Sequence, residues 1–199
     1  MSASIYLEGG GDSKELHIRC REGFRKLLEN CGFKGRLPRL TACGGRAATF
    51  GDFQTGHGSK GDLDYVAMLI DSEEPLDDLE AAWRHLNLHD GWEKPAGAAD
   101  EQVLFMTTCM ETWIVADRTT LADHYGSRLQ ESALPALHDP EGRSRHEVQQ
   151  GLARATRKCV NAYAKGKRSF ELLGKLTPTE LGRHLPSFRR VVRILGERL

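Results

Sequence analysis

The chain has no pair of cysteines two residues apart and no long apolar run. Its five cysteines, Cys20, Cys31, Cys43, Cys109 and Cys159, are odd in number and scattered. That pattern argues against a disulfide framework and against a zinc ribbon, and it fits a reducing compartment. No apolar stretch approaches the ~20 residues that cross a bilayer. A polar Glu-Gly-Gly-Gly stretch starts at Glu8, where a secretory leader would carry its apolar region. The expectation is a soluble, cytoplasmic protein that does not engage membranes. Other absences remove whole reaction classes. Gly9-Gly10-Gly11-Asp12-Ser13-Lys14 is not a Walker loop, because Ser and Lys are reversed and the glycine spacing is wrong. The dinucleotide fingerprint fails because Lys14 stands where its last glycine belongs. No Gly-x-Ser-x-Gly elbow is present, which excludes the usual serine hydrolases. His85 and His89 stand four apart, as zinc-binding histidines can, but have no cysteine or acidic partner at the expected spacing and read as surface residues.

What is present suffices for one proper core, with 39% hydrophobic residues in a chain of 199. The net charge of zero conceals a division. Residues 143–199 hold fourteen Lys/Arg against four Asp/Glu, so this part carries +10 and the preceding part −10. Two readings follow. Either an acidic catalytic part adjoins a part that contacts a polyanion, or two complementary surfaces pack together.

Hydrophobic periodicity gives the organisation. Ser4 to Leu7 reads as a strand ending at Glu8, with Gly9-Gly10-Gly11 as the turn. Asp12 is placed to cap a helix with Glu15 three residues on, and Leu16, Cys20, Phe24, Leu27, Leu28 and Cys31 recur at helical spacing. Leu37 to Cys43 reads as a second strand and Ala47 to Gln54 as a short helix. Tyr65 to Ile70 is an unbroken apolar run, the pattern of a parallel strand covered on both faces. A helix is expected over Leu76, Leu79, Trp83 and Leu86, a fourth strand over Val103–Met106 and a helix from Met110 to Asp117, with Trp113 in the core. Alternating strands and helices call for an α/β fold of three layers around a mainly parallel sheet. Beyond residue 118 strand signals stop. Val148, Leu152, Ala155, Cys159 and Tyr163 trace one helical face, and Phe188, Val191, Val192, Leu195 and Leu199 another. The expected division is an α/β domain over 1–117 and a basic helical appendage over 118–199, with the packing of the two as one domain left open.

In a parallel sheet all strands end at one edge, where ligands bind. Glu8 ends the first strand; Asp71 and Glu73 end the third, with side chains on one side if extended geometry persists. Three converging carboxylates repel one another, so the cluster suits a hard divalent cation such as Mg²⁺ or Mn²⁺. The plainer reading is that each acid caps a helix and faces solvent. Arg46 follows Gly44-Gly45 and is expected near this edge, either to contact a phosphate or to face solvent. Glu111 either joins the site or pairs with an arginine that holds the helical part. Asp12 is an auxiliary candidate. Lys165, Lys167 and Arg168 flank Gly166 in a basic turn, continuing the positive helix of Arg154, Arg157 and Lys158, which suits backbone phosphates or an ordinary solvated face.

Leu7-Glu8-Gly9, followed by an apolar strand running into Asp71-Ser72-Glu73, resembles the Toprim pattern of a glutamate after the first strand and an Asp-x-Asp pair after a later one. The second acid here is Glu73 rather than aspartate. Met110–Asp117, Tyr163–Gly166 and Ser169–Leu173 resemble segments of a Toprim-related bacterial family, domain of unknown function 4276, over nearly the whole chain. The resemblance implies a Rossmann-like Toprim fold and Mg²⁺-dependent cleavage of nucleic-acid phosphodiesters, in RNA (transfer RNA included) or DNA. It implies that Glu8 moves a proton while Asp71 and Glu73 hold metal, Glu8 also counting among the metal ligands. It further implies an antiphage-defence effector, toxic to the cell, working beside an ABC- or AAA-type ATPase; association between copies is left open. The alternative from the residues is a non-catalytic adaptor that docks an acidic partner through its basic helices.

Overall fold

The computed structural model describes residues 2–61 and 64–199. Strand β1 (Ala3–Glu8) leads through α1 (Lys14–Leu28) to β2 (Arg39–Gly44), then through α2 (Arg46–Gly58) to β3 (Tyr65–Asp71), and through α3 (Ala82–Asp90) to β4 (Val103–Met106). All four strands are parallel, in the order β2-β1-β3-β4. The fold is α/β with a Rossmann-like arrangement of helices on both faces of the sheet.

The unbroken apolar run of β3 serves both faces. Tyr65, Ala67 and Leu69 enter one core with Ile5, Leu7 and Phe24; Val66, Met68 and Ile70 enter the other with Phe53, Trp83 and Leu86. A strand in such a sandwich has no side to give to water, which is why its sequence does not alternate. The arrangement also opens a crevice. The connection from β1 leaves over the α1 face toward β2, and the one from β3 leaves over the α3 face toward β4. β1 and β3 are neighbours, so the chain diverges between their carboxyl ends, and such a switch point is where open α/β sheets bind ligands.

The later helices are α4 (Met110–Ala116), α5 (Arg118–Tyr125), α6 (Arg145–Thr156), α7 (Lys167–Leu173), α8 (Pro178–His184) and α9 (Pro186–Arg198). They share a core with the sheet. Phe170, Phe188, Val191 and Leu195 belong to the same core as Ile5, Leu7 and Phe24, and the Trp113 ring meets Phe188 edge to face at 5.0 Å. Residues 118–199 thus help build the outer layer on one face of the sheet. Arg190, only 5% exposed, locks α9 in place. Its Nη1 donates to the Val103 carbonyl at 2.8 Å, Nη2 to the Asp100 carbonyl at 2.9 Å and Nε to the Glu80 carboxylate at 3.0 Å. Arg193 also reaches Glu80, at 2.8 Å. Part of the basic excess therefore neutralises acids of the first half, as the complementary-surface reading expects, while Arg154, Arg157, Lys158, Lys165, Lys167 and Arg168 stay exposed.

Several local expectations are corrected. Ser13, not Asp12, caps α1, accepting the Leu16 N–H at 3.1 Å, and Glu15 pairs with Arg19 instead of closing a capping box. Asp12 is exposed and lies one residue too early to cap. α2 runs to Gly58, beyond the expected Gln54. α3 begins at Ala82 rather than near Leu76, because the segment before it is held by side chains: Glu80 by α9, and Leu76 packed on the second core. Cys159 and Tyr163 follow the end of α6 in a loop instead of extending its face. Each of the five cysteines is a free thiol. Among the described residues no helix is long and apolar enough to cross a membrane.

Candidate functional site

Glu8 sits at the carboxyl end of β1, and the triple-glycine turn follows. Gly9, Gly10 and Gly11 all have positive φ, and Gly9 and Gly44 exchange backbone hydrogen bonds of 2.8 and 3.0 Å. Glycine is required where the turn closes: a Cβ on Gly44, at φ +83°, would lie 2.7 Å from the Gly11 carbonyl oxygen. This clasp fixes the exit of β1 against β2.

Asp71 ends β3 one strand over. Its backbone N–H donates to Glu8 Oε2 at 3.1 Å, and its Oδ1 accepts the Met110 N–H at 2.8 Å. Glu73 arrives differently from the expected continuation of the strand. Extended structure ends at Asp71, and Glu73 turns with φ +69°, its N–H donating to the Thr108 carbonyl at 2.9 Å. The turn nonetheless brings the three acids together, with one carboxylate oxygen from each of Glu8, Asp71 and Glu73 lying within 4.8 Å of the others.

Burial works against the ionised forms of Glu8 and Asp71, and like charge adds to it at Asp71. Burial pushes the Asp71 carboxyl up to about 8, reinforced by the charges of Glu8 and Glu111. Burial also raises Glu8, against the opposing pull of Arg46. Three oxygen-bearing side chains on a buried edge, two of them disfavoured as bare anions, form a donor set that fits a hard divalent cation. Asp71 and Glu73, with Glu8 beside them, are the residues that would hold it.

Basic groups surround the acids. Arg145, the first residue of α6, forms an ion pair with Glu73. Arg46 is at the edge as expected, but its guanidinium is largely committed. It donates from Nε and Nη2 to the two oxygens of Asp90, at 2.8 Å each, and from Nη1 to the Asp71 carbonyl. It lies 3.6 Å from Glu8 Oε2, stacks 5.2 Å from the centre of the Trp92 ring and is 14% exposed. A phosphate would have to displace Asp90 to claim this fork. Burial works against the Asp90 anion, but the Arg46 bonds and His89 outweigh it and hold the carboxyl below its ordinary value.

Lys165 is exposed and lines the same cleft as Glu8 and Asp71. Lys167 and Arg168 do not join it: Lys167 lines a separate groove between α1 and α7, and Arg168 folds onto the Ala162 carbonyl. Glu111 is only 1% exposed and close enough to Asp71 for their charges to interact, yet among the described residues no arginine pairs with it. It accepts the Tyr163 hydroxyl at 2.8 Å and Gln149 at 3.2 Å, tying the loop before Lys165 to α4. Burial, with the Glu111 charge next, raises the Tyr163 phenol well above its usual range. His85 is half-buried rather than a surface residue, with Nε2 2.9 Å from the Ser72 carbonyl, directly behind the carboxylate loop.

The residues missed by sequence reasoning are Asp90, Arg145 and Tyr163. Asp90 ends α3 and Arg145 begins α6, positions that ordinarily read as solvated helix ends. Nothing in local spacing ties them to partners far along the chain.

The family model for the domain of unknown function DUF4276 matches residues 7–196, and the chain belongs to that family. No curated protein and no solved structure matches the chain.

Proposed function

We propose that this chain is a Toprim-like, Mg²⁺- or Mn²⁺-dependent enzyme that hydrolyses nucleic-acid phosphodiesters. The observation that carries the reading is the meeting of Glu8, Asp71 and Glu73 oxygens within 4.8 Å at the switch point between β1 and β3. A divalent cation held there would screen charge on the phosphate and make a bound water more acidic. By the Toprim resemblance, Glu8, whose carboxyl is raised by burial, would take a proton from the attacking water. The water oxygen then bonds to phosphorus in line with the departing strand, whose P–O bond breaks, and Glu8 returns its proton to the leaving oxygen. Lys165, which lines the cleft, and Arg145, whose charge reaches Glu8 and Asp71 although it pairs with Glu73, would supply positive charge for the non-bridging oxygens. Arg46 acts behind the site, holding Glu8 and the backbone of Asp71 rather than the substrate.

The Toprim resemblance extends the proposal to an antiphage-defence effector that acts with an ABC- or AAA-type ATPase. A second reading, the adaptor that docks an acidic partner, draws on the pairing of Glu73 with Arg145 and of Glu8 with Arg46, which neutralises acids without a cation. The two are separated by incubating end-labelled RNA and DNA with the purified protein and Mg²⁺ or Mn²⁺, alone and with a candidate ABC- or AAA-type ATPase. Cleavage that disappears in Asp71→Asn supports the nuclease. Substrates left intact in every combination, by a protein that binds no metal, favour the adaptor.

A further inference from the structure

We infer that the substrate enters this site as a single unpaired nucleotide, so that the enzyme acts on single-stranded or looped nucleic acid and rejects continuous duplex. The inference rests on the phosphodiesterase reading and adds its substrate class. Glu8 and Asp71 lie in a cleft of about 310 Å³, not on an open face. That volume is at the small end of sites that hold compact organic ligands. The acids are recessed: Asp71 is 6% exposed, and the Glu8 side chain 16%.

The walls differ in chemistry from the acid edge. Leu16 from the first turn of α1, Met110 and Phe170 give an apolar lining. The Gly9–Gly11 turn lines it too, with backbone in place of side chains. Phe170 packs close behind that turn, since a Cβ on Gly9 would lie 3.3 Å from its ring. An apolar slot beside a carboxylate cluster matches a nucleotide with its base or sugar against the walls and its phosphate at the acids, with Lys165 at the rim. A paired nucleotide cannot adopt this pose, because its base is stacked within the helix and hydrogen-bonded to the opposite strand. Unpairing costs a few kcal/mol in a duplex and little in a loop or single strand.

The test measures affinity in Ca²⁺, chosen to slow turnover, for a fluorescent single-stranded oligonucleotide, for the same sequence in a hairpin loop, and for its blunt duplex. Wild-type protein is compared with Leu16→Trp, which fills the slot, and with Leu16→Phe, a milder filling change; thermal melting establishes that each is folded. The expected result is at least tenfold tighter binding of single strand and loop than of duplex, with that preference lost in Leu16→Trp and reduced in Leu16→Phe. Duplex bound equally well, single-strand binding indifferent to both folded variants, or no binding of any oligonucleotide overturns the inference. Mn²⁺ binding and cleavage in the same preparations separate the failures. Metal-dependent cleavage of duplex would sink the substrate class and leave the phosphodiesterase standing, whereas absent metal binding would remove both.

Discussion

The backbone N–H of Asp71 donates to the carboxylate of Glu8 at 3.1 Å, across the seam between two parallel strands. This bond makes the ends of β1 and β3 one unit, so the acid of one strand is positioned by the backbone of the other. The unit is braced from behind by Arg46, which touches Glu8, the Asp71 carbonyl and Asp90 together. Rigid support of this kind is what a cation or a phosphate needs from its site.

Asp90→Asn should weaken Mn²⁺ binding about tenfold, in the range seen when groups behind a metal site are altered. With one carboxylate gone, Arg46 is free to swing onto Glu8 and compete with the cation. Isothermal titration of the variant reads the change directly, and an unaltered affinity would show that Arg46 has no such role.

Tyr163→Phe should destabilise the protein by about 1–3 kcal/mol, the usual cost of leaving a buried polar group short of a partner. Glu111 would retain Gln149 alone, at 3.2 Å. Urea denaturation measures the loss. Because Tyr163 stands two residues before Lys165, limited proteolysis is also expected to cut this loop faster.

Arg190→Ala should cost about 2–4 kcal/mol, since it strips hydrogen bonds from two carbonyls and leaves a gap between α9 and the sheet. The C-terminal helix should then be released as a local unit, visible as loss of hydrogen-exchange protection over residues 186–198. If residues 118–199 were a separate appendage, the sheet would be indifferent to the change.

Glu141 makes stability depend on pH. Burial pushes its carboxyl up from 4.5 to about 7, against the hydrogen bonds it accepts from Ser187. A raised acid favours the protonated folded state, so its contribution is full below pH 4.5 and is lost as pH rises through 7. Glu141→Gln, which cannot ionise, should flatten the melting temperature across this window relative to wild type. An identical pH profile in the two proteins would contradict the assignment.

Much of the fold could be read from short-range pattern. The run Tyr65–Ile70 needs two covered faces, and its abrupt end in Asp71-Ser72-Glu73 marks the edge where the site lies. Val103–Met106 is likewise a strand at its expected bounds. What could not be read were relations between distant segments. The basic residues after 143 look alike in sequence, yet Arg190 is buried against β4, Arg145 is paired with Glu73 and Lys165 lines the cleft. Only the packing of α6, α7 and α9 assigns these different roles. The same holds for Leu76 and Leu79, whose spacing imitates a helix although tertiary contacts hold the segment in a loop.

Calorimetric titration of Mn²⁺ into the metal-free protein and into the Glu8→Gln/Asp71→Asn double variant tests the central claim most directly. The account predicts one saturable site in the wild-type protein and none in the variant, with metal raising the melting temperature of the wild type alone. At a hundredfold excess over the dissociation constant that stabilisation should be about 2.7 kcal/mol. Equal binding by both proteins, or by neither, would contradict a metal site at Glu8, Asp71 and Glu73.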